Sequence, residues 1–514
     1  MTRVRIGIDV GGTNTDAVAV DEAGNVLAWH KTPSTPSVAE GIQIALAAVI
    51  KDVDVSRVTR VMLGTTQALN ALIQRRGVNK VGILRIGAPA FNAVPPLAGW
   101  PADLVEAVRG PVALVAGGHE YDGRAISPLD EEAVRVFARE CDGAVKAIAI
   151  TSIFSPVTSE HEVRAREIVA QELGEGFAIS LGSEVAGVGL LERENAAILN
   201  GSLTGIAHEV VSSLSVAVER AGIAADLYLT QNDGTLLRAL DALHRPVLTV
   251  ASGATNSMRG AAYLTGLSDA IVLDVGGTST DVGLLVDGFP RMSAHSVEIG
   301  GVQTNFRMPD LISVGLGGGS IVEPGAAVGP GSVGYRLTSD ALVFGGTTLT
   351  LSDCSVAAGR ASFGDFPERA SAIDSELLAT VIAHIDSRFE VLCDRIKASR
   401  SDVPVIVVGG GEHLVPKSIA GTSQVVRPDF ADVANAVGAT VADVSGSVDR
   451  NFVYSLSSRD ECLDEAKRTA LGAATRAGAD PLKVRISSVV EIPVPYMPGD
   501  CTRVVVKASG PLAD

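Results

Sequence analysis

Cysteine is scarce and unpatterned in this chain of 514 residues: five, at positions 141, 354, 393, 462 and 501. No two form a CxxC pair and the total is odd. That excludes a disulfide framework and a zinc ribbon, and it fits reduced thiols in a cytoplasmic protein. Aromatic residues make up only 4% of the chain, so its core must be aliphatic, as in layered α/β proteins. Cations are outnumbered, 42 Lys and Arg against 59 Asp and Glu, for a formal charge of −17. Nucleic acid is thereby excluded as an expected partner, because phosphate contacts need clustered Lys and Arg. No apolar run reaches the length of a membrane span, so a membrane is not expected either. The chain opens directly on a strand pattern, and no signal peptide is expected. A GxxxxGK[ST] P-loop is absent. Gly329-Pro-Gly331-Ser-Val-Gly334 matches GxGxxG by letter, but no strand pattern precedes it and no helix pattern follows, so a dinucleotide site is rejected.

What the chain does have is one phrase used twice. It reads Asp9-Val-Gly-Gly-Thr13-Asn-Thr15-Asp16 near the start and Asp274-Val-Gly-Gly-Thr278-Ser-Thr280-Asp281 downstream. Seven of the eight positions are identical, 265 residues apart. Each copy ends a β-branched run on Asp, turns through Gly-Gly and a hydroxyl cluster, and re-enters an apolar run. That pattern predicts a β-hairpin with a polar tip. The glycines let backbone N–H groups approach a ligand unobstructed, successive N–H groups make an anion-binding nest, and the hydroxyls add donors. An Asp at the strand end is repelled by phosphate but can hold Mg²⁺ through water, and Mg²⁺ bridges phosphates. Two such tips facing each other would grip a triphosphate from both sides.

The remaining pattern alternates strands and helices, as in layered α/β domains. Residues 3–29 read as strands around the first tip, 37–52 as a helix after the capping segment Thr32–Pro36, and 58–63 as a buried strand. That strand ends in Gly64-Thr65-Thr66, followed by a helix at 68–76; the turn suits a bound anion or substrate and equally a helix N-cap. Residues 78–85 read as a strand, and 87–125, rich in Pro and Gly, as irregular. Within the latter, Gly118–Gly123 mixes titratable groups in what is otherwise a solvated turn. Helices are expected at 128–141 and 158–173 around a strand at 145–151, and two helical stretches at 190–200 and 203–222. Strands follow at 228–231 and 246–250, then the small-residue turn Ser252–Ser257, suited to a ligand or to close packing, opening a helix at 255–265. A long helix is expected at 375–398 and a strand at 404–408 running into Gly409-Gly410-Gly411. That bare backbone would let a flat ring such as adenine lie against it. A helix at 430–445 and strands at 482–492 and 501–508 complete the reading, the tail pairing back onto a sheet.

Two Asp-x-Gly-Gly-Thr hairpins followed by a Gly-Gly-Gly strand end resemble the phosphate-1, phosphate-2 and adenosine motifs of the actin-like ATPase superfamily. The finer resemblance is to the ATP-dependent, A-type subunits of the hydantoinase/oxoprolinase family. It is carried by both octets, by Gly64-Thr65-Thr66-Gln67-Ala68-Leu69-Asn70-Ala71-Leu72, by Gly317–Ile321 and by Ala434–Ala439. It covers roughly residues 1–450. Longer family members carry Asp-x-His before the Gly-Gly-Gly-Ser stretch; here Asp310-Leu311-Ile312 stands there, so a metal at that point is not expected.

The resemblance implies two actin-like (ribonuclease H-like) α/β domains flanking a nucleotide cleft: residues 1–190 with the first hairpin, 191–450 with a helical segment, the second hairpin and the adenosine motif, and a tail, 451–514. It implies ATP and Mg²⁺, with Asp9 and Asp274 orienting the metal. Gly11, Gly12, Thr13, Asn14 and Thr15 would hold one side of the phosphates, and Gly276, Gly277, Thr278, Ser279 and Thr280 the other. Gly409, Gly410 and Gly411 would receive adenine. Thr65, Thr66, Glu298, Asp310 and His413 are substrate-pocket candidates, and Asp16 and Asp281 serve either the site or the hairpin backbone. The implied reaction is ATP-dependent opening of a cyclic amide, of hydantoin or 5-oxoproline type, through phosphorylation of the amide oxygen. A B-type subunit is the implied partner, since full-length 5-oxoprolinases carry that half, and self-association is compatible. A small-molecule kinase, or a non-catalytic ATP-dependent switch or activator, is the alternative on the same fold.

Overall fold

The computed structural model describes residues 2–35, 37–293, 296–494 and 499–513. Pro36 of the expected capping segment lies outside them; Ser37 caps the helix, its side chain accepting from the Glu40 N–H. The chain begins as an antiparallel meander, β1 (Val4–Val10), β2 (Asn14–Asp21) and β3 (Val26–Pro33). α1 (Val38–Val49) lays Ile42, Leu46 and Val49 on it. β4 (Val58–Thr65) then pairs parallel with β1, and α2 (Gln67–Gln74) follows.

A four-stranded parallel unit comes next: β5 (Val81–Ala88), α3 (Ala102–Val108), β6 (Arg109–Ala116), α4 (Glu131–Cys141), β7 (Ala147–Ser152), α5 (Glu160–Leu173) and β8 (Ala178–Leu181), in sheet order β6-β5-β7-β8. The stretch 87–125 is thus not all irregular. Pro111 is accommodated because β6 is an edge strand, where a missing N–H leaves no central ladder bond open. After the short α6 (Gly182–Val185), α7 (Leu190–Arg220) is one unbroken helix of 31 residues, about 46 Å long, where the sequence suggested two. Gly201 lets it lie close on Val81 and Ala147, and the Ser202 and Thr204 hydroxyls donate to carbonyls one turn back.

β9 (Asp226–Thr230), β10 (Leu236–Arg238) and α8 (Ala239–Ala242) lead to a 3₁₀ turn at Pro246–Thr249, where a strand was expected. Side chains satisfy that backbone in place of a ladder: Asn200 Oδ1 accepts from the Val247 N–H and Asn232 Nδ2 donates to the Val247 carbonyl. α9 (Ser252–Thr265) precedes the second hairpin, β11 (Ala270–Val275) and β12 (Thr280–Val286), with β13 (Phe289–Pro290) beside it. Short ribbons β14 (Val297–Ile299)/β15 (Val302–Thr304) and β17 (Ser320–Glu323)/β18 (Ala327–Ser332) flank β16 (Leu311–Val314). The GxGxxG letters fall on β18 and the turn after it, without a dinucleotide-binding βαβ unit. α10 (Leu337–Asp340), α11 (Leu351–Ala357) and α12 (Ser375–Ile396) lead to β19 (Val403–Val408) and β20 (Thr422–Val426).

The expected helix at 430–445 is shorter, α13 (Ala434–Thr440), because the chain leaves it to enter β21 (Val444–Val453). α14 (Arg459–Arg476) was not anticipated, although Ser458 and Glu461 form a complete capping box at its start. β22 (Arg485–Pro493) and β23 (Cys501–Gly510) end the chain's regular structure.

Two sheets repeat one topology. The order β3-β2-β1-β4-β9 recurs as β13-β12-β11-β19-β20, and in each the hairpin is antiparallel while the next two strands run parallel to its first. This is the doubled α/β architecture of the actin-like fold. The first sheet extends through β10, β21, β23 and β22 to nine strands, so it draws on residues from all three segments of the expected division, and the tail does pair back onto a sheet. The two halves meet where α9 crosses α13 at bare backbone. A Cβ on Gly260 would stand 1.8 Å from the Ala434 carbonyl oxygen, and one on Gly438 1.9 Å from that of Asn256. Among the described residues no helix is long and apolar enough to cross a membrane, and all five cysteines are free and buried.

Candidate functional site: a cleft between two matching hairpin tips

The two octets fold alike. In the first, Asp9 pairs across the ladder with Asp16 and the Gly11 N–H donates to the Asn14 carbonyl at 3.0 Å; in the second, Asp274 pairs with Asp281 and the Gly276 N–H donates to the Ser279 carbonyl at 2.9 Å. The tips converge: a Cβ on Gly277 would lie 3.4 Å from Thr13 Cγ2. Around them one cleft is lined by Asp9, Gly11, Gly12, Thr13, Asn14 and Thr66 from one side, and by Asp274, Gly276, Gly277, Gly409 and Gly410 from the other. Thr278 and Ser279 stand exposed on the second tip.

Each strand-end carboxylate needs a glycine on the neighbouring parallel strand. A Cβ on Gly64 would sit 2.2 Å from Asp9 Oδ1, and one on Gly409 would sit 2.5 Å from Asp274 Oδ1. Gly409 also has φ +88, a conformation that favours glycine. Gly317–Gly319 buttress the second tip from behind: the N–H groups of Gly318 and Gly319 donate to the carbonyls of Gly276 and Gly277 at 3.0 and 2.7 Å. With those carbonyls tied back, the tip's N–H side is left toward the cleft. Gly12 and Gly410 have open space where a Cβ would be, so bare backbone faces any ligand there.

Helices from both halves fix the carboxylates. Asn256 of α9 donates to Asp9 Oδ1 at 3.1 Å; Asn435 of α13 donates to Asp9 Oδ2 at 3.1 Å and Asp16 Oδ2 at 2.8 Å. Lys31 of β3 pairs with Asp16 at 3.0 Å and donates to the Asp432 carbonyl at 2.6 Å. It is the one cation among the described residues lining the cleft. Burial pushes the Asp9 carboxyl up to about 6 against the hydrogen bond from Asn256, with Asp16 and Asp274 adding to the rise. Asp274 is likewise pushed up to about 6 by burial, against a hydrogen bond from Ser257. Lys31, Asn256, Ser257 and Asn435 were not identified as site residues from sequence. The motif Ala434–Ala439 contained Asn435, and the turn Ser252–Ser257 contained two of the others, so the signal was present without the contact.

The structure does not bring every expected residue to the cleft. Thr15 and Thr280 are fully buried. Side chains alternate along a strand, so with Asp16 and Asp281 toward the cleft their neighbours point away. Thr15 faces Gly41 of α1, and the Thr280 hydroxyl donates to the Leu316 carbonyl. Thr65 is buried, and its hydroxyl accepts from the N–H of Gln67, the first residue of α2. Asp281 accepts from the Ser313 hydroxyl. Glu298 is exposed beside Gln303, Asp310 is ion-paired with Arg291 at 2.7 Å, and His413 packs on Phe363 behind the second tip. None of these three lines the cleft.

Chemically the cleft is rich in oxygen acceptors and poor in cations. Behind Asp9, Asn256 Oδ1 is buried without a donor. Among the described residues no three His, Cys, Asp or Glu side chains stand close enough to cage a metal. That set suits Mg²⁺, which keeps most of its waters and takes one or two carboxylates, better than a transition metal. A second opening shares Gly11 and Gly12 with the cleft and is lined by Gln67, Asn70 and Gln74, one face of α2.

Residues 5–173 match the hydantoinase/oxoprolinase N-terminal region, and residues 193–399 match hydantoinase/oxoprolinase. The chain is 28% identical over 394 residues to caprolactamase subunit alpha of Pseudomonas jessenii, covering 69% of this chain and 54% of that one. It is 30% identical over 392 residues to the acetophenone carboxylase gamma subunit of Aromatoleum aromaticum, covering 69% and 53%. It thus spans about half the length of these curated relatives. Its fold is that of the ATP-dependent caprolactamase crystal structure from Pseudomonas jessenii (TM-score 0.76, 21% identity, 98% of this chain and 87% of that one). Nucleotide-free acetone carboxylase is similar (TM-score 0.70, 20% identity, 100% and 88%).

Proposed function

The chain belongs to the hydantoinase/oxoprolinase family, and from that premise we propose that it is an ATP-dependent hydrolase that opens a cyclic amide of the hydantoin or 5-oxoproline type. The observation that carries this reading is the convergence of the two Asp-Val-Gly-Gly-Thr tips on one cleft, with Asp9 and Asp274 at its base. ATP-dependent relatives among caprolactamases and carboxylases support the nucleotide, and relatives named as subunits support a partner chain of the B type.

An unstrained amide resists water because its nitrogen is a poor leaving group. Bound ATP·Mg²⁺ supplies the activated phosphoryl group that turns the amide oxygen into a leaving group. Asp9 and Asp274 would hold the metal through its waters. The backbone N–H groups of Gly12 and Thr13, and of Gly277 and Thr278, would orient the phosphates, since those of Gly11 and Gly276 already close the turns, and Gly409 and Gly410 would offer flat backbone to the adenine. The amide enters beside Gly11 and Gly12, where the carboxamides of Gln67, Asn70 and Gln74 match its adjacent C=O and N–H. The amide oxygen would attack the terminal phosphorus as the bond to ADP breaks. A first water would then add to the ring carbon and the C–N bond break, the nitrogen taking a proton and leaving an acyl phosphate, which a second water would cleave to the carboxylate and phosphate. Positioning and charge neutralisation do most of this work.

The test is product analysis by mass spectrometry after incubation with ATP, Mg²⁺ and hydantoin, 5-oxoproline or caprolactam, with and without a B-type subunit. A ring-opened acid with ADP and phosphate is the expected result. A stable phosphorylated metabolite would instead identify a kinase, and a carboxylated ketone from parallel incubations with bicarbonate would identify a carboxylase component. A pH dependence follows as well. Mg²⁺ competes with the proton on two carboxyls held near 6, so its affinity in the presence of ADP falls as pH drops from about 7.5 to about 5.5. Calorimetry in buffers of different ionisation enthalpy reads the released protons. An affinity unchanged over that range would remove both carboxylates as metal holders.

A further inference from the structure

A second hollow, of about 490 Å³, shares no lining residue with the cleft. Three parts of the molecule enclose it: α6 of the four-stranded unit, the nine-stranded sheet with α14, and residues 305–307 of the second half. Its charges do not balance. Three lining carboxylates already have cations: Asp233 with buried Lys507 at 2.6 Å, Asp449 with Arg503 through a two-pronged contact at 2.7 and 2.5 Å, and Glu184 with Arg166 at 2.9 Å. Only Asp241 remains. Against it stand the guanidinium groups of Arg245, Arg307 and Arg476, none of which makes an ion pair with any described residue. Arg307 Nη1 is buried without any hydrogen-bond partner. Burial raises the Asp233 carboxyl, but Lys507 and then Arg307 outweigh it and hold that group down at about 2; its direct contact is with Lys507 alone. A chain of net charge −17 therefore keeps a cavity with an excess of unpaired cations.

Arg245 and Arg307 are half-buried and Arg476 is exposed at the rim. Guanidinium groups taken partly out of water without a partner are costly unless an anion completes them, and their planar forks match carboxylate and phosphate oxygens two at a time. We propose that this hollow binds a small oxyanion, a carboxylate or a phosphate ester, held by Arg245, Arg307 and Arg476. The site is not isolated from the cleft. Asn232 on its wall donates to the Val247 carbonyl and accepts from the Ala251 N–H at 2.8 Å, and the Gln231 carbonyl accepts from the Thr255 hydroxyl at 3.1 Å. Those bonds fix the start of α9, whose Asn256 holds Asp9. A ligand joining three parts of the fold stabilises the folded chain by linkage.

The test uses the full chain without nucleotide, titrated with sodium succinate or with inorganic phosphate, each against sodium chloride at matched ionic strength. Thermal melts and calorimetry are the readouts. The expected result is a saturable rise in melting temperature with at least one of the two anions, with Kd weakened tenfold or more in Arg307→Gln and, separately, in Arg245→Gln. Succinate alone identifies a carboxylate site and phosphate alone a phosphate site. Saturable binding that neither variant weakens would assign the anion to the hairpin tips and overturn the proposal. A response no larger than that to sodium chloride would also overturn it. Arg245→Gln lies at a half-buried position, so the test stands if the Arg307 variant folds poorly.

Discussion

Asp274→Asn and Asp9→Asn each lower ATP turnover by about two to three orders of magnitude, roughly 3–4 kcal/mol of transition-state stabilisation, while the apo protein becomes no less heat-stable at pH 7.5. The two effects oppose each other for one physical reason. Burial makes each anion costly in the empty cleft, and only a cation and phosphates repay it. The sign can be followed through pH. A carboxyl raised from its ordinary value near 3.8 to about 6 contributes stability that is present below about 3.8 and lost as pH climbs through 6. At pH 7.5 the wild-type chain carries buried anions that the Asn variants do not. Asp274→Asn therefore melts at or above the wild type at pH 7.5, and this advantage disappears by about pH 4.5. Asp9→Asn gains less, because its new amide group meets a donor, Asn256 or Asn435, where a carboxylate oxygen stood. Steady-state ATPase assays and melts at the two pH values check both parts. Turnover undiminished in both variants would remove the cleft between the two hairpin tips as the phosphoryl-transfer site.

Gly260→Ala costs at least about 3 kcal/mol of stability and most of the ATPase activity together, through one methyl group on α9 at a residue that does not itself line the cleft. The added carbon would overlap the Ala434 carbonyl oxygen at 1.8 Å and its carbon at 2.7 Å. Those are backbone atoms, which cannot rotate away as a side chain would, so α9 and α13 must separate. Overpacking of this kind costs roughly 1–3 kcal/mol where neighbours can shift, and more where they cannot. α9 carries Asn256 and α13 carries Asn435, the two donors to Asp9, so the same displacement loosens the carboxylate. Gly176→Ala is the control: its Cβ would meet nothing within 4 Å, and it stays within about 0.5 kcal/mol of the wild type. Chemical denaturation and ATPase assays of the two variants decide the matter. A Gly260→Ala chain as stable and active as the control would mean that the crossing does not set the cleft.

The parts of this site that could be read in the sequence are those closed within a few residues. The Gly-Gly turns, the facing of Asp9 with Asp16 and of Asp274 with Asp281, and the glycine run after β19 are local geometry, and the structure contains all of them. The burial of Thr15 and Thr280 follows from the same two-residue strand period, although the hydroxyl chemistry of the octet pointed the other way. α14 had a capping box in the letters. Asn256 and Asn435 lay inside stretches that the sequence marked, but their roles, like that of Lys31, could not be read there, because a lysine in a strand and an asparagine in a helix gain a function only when a partner stands opposite.

By itself the sequence determined two near-identical Gly-Gly hairpin turns and a chain rich in aliphatic strands and helices, since each turn is set by its own glycines and hydrogen bonds. Only the tertiary structure decided that the turns face one another, that the tail completes the first sheet, and that asparagines from both halves hold one carboxylate. Those outcomes depend on which surfaces pack, above all on two glycine-lined helices crossing at backbone distance. Packing between residues so far apart along the chain leaves no periodic trace in either segment alone.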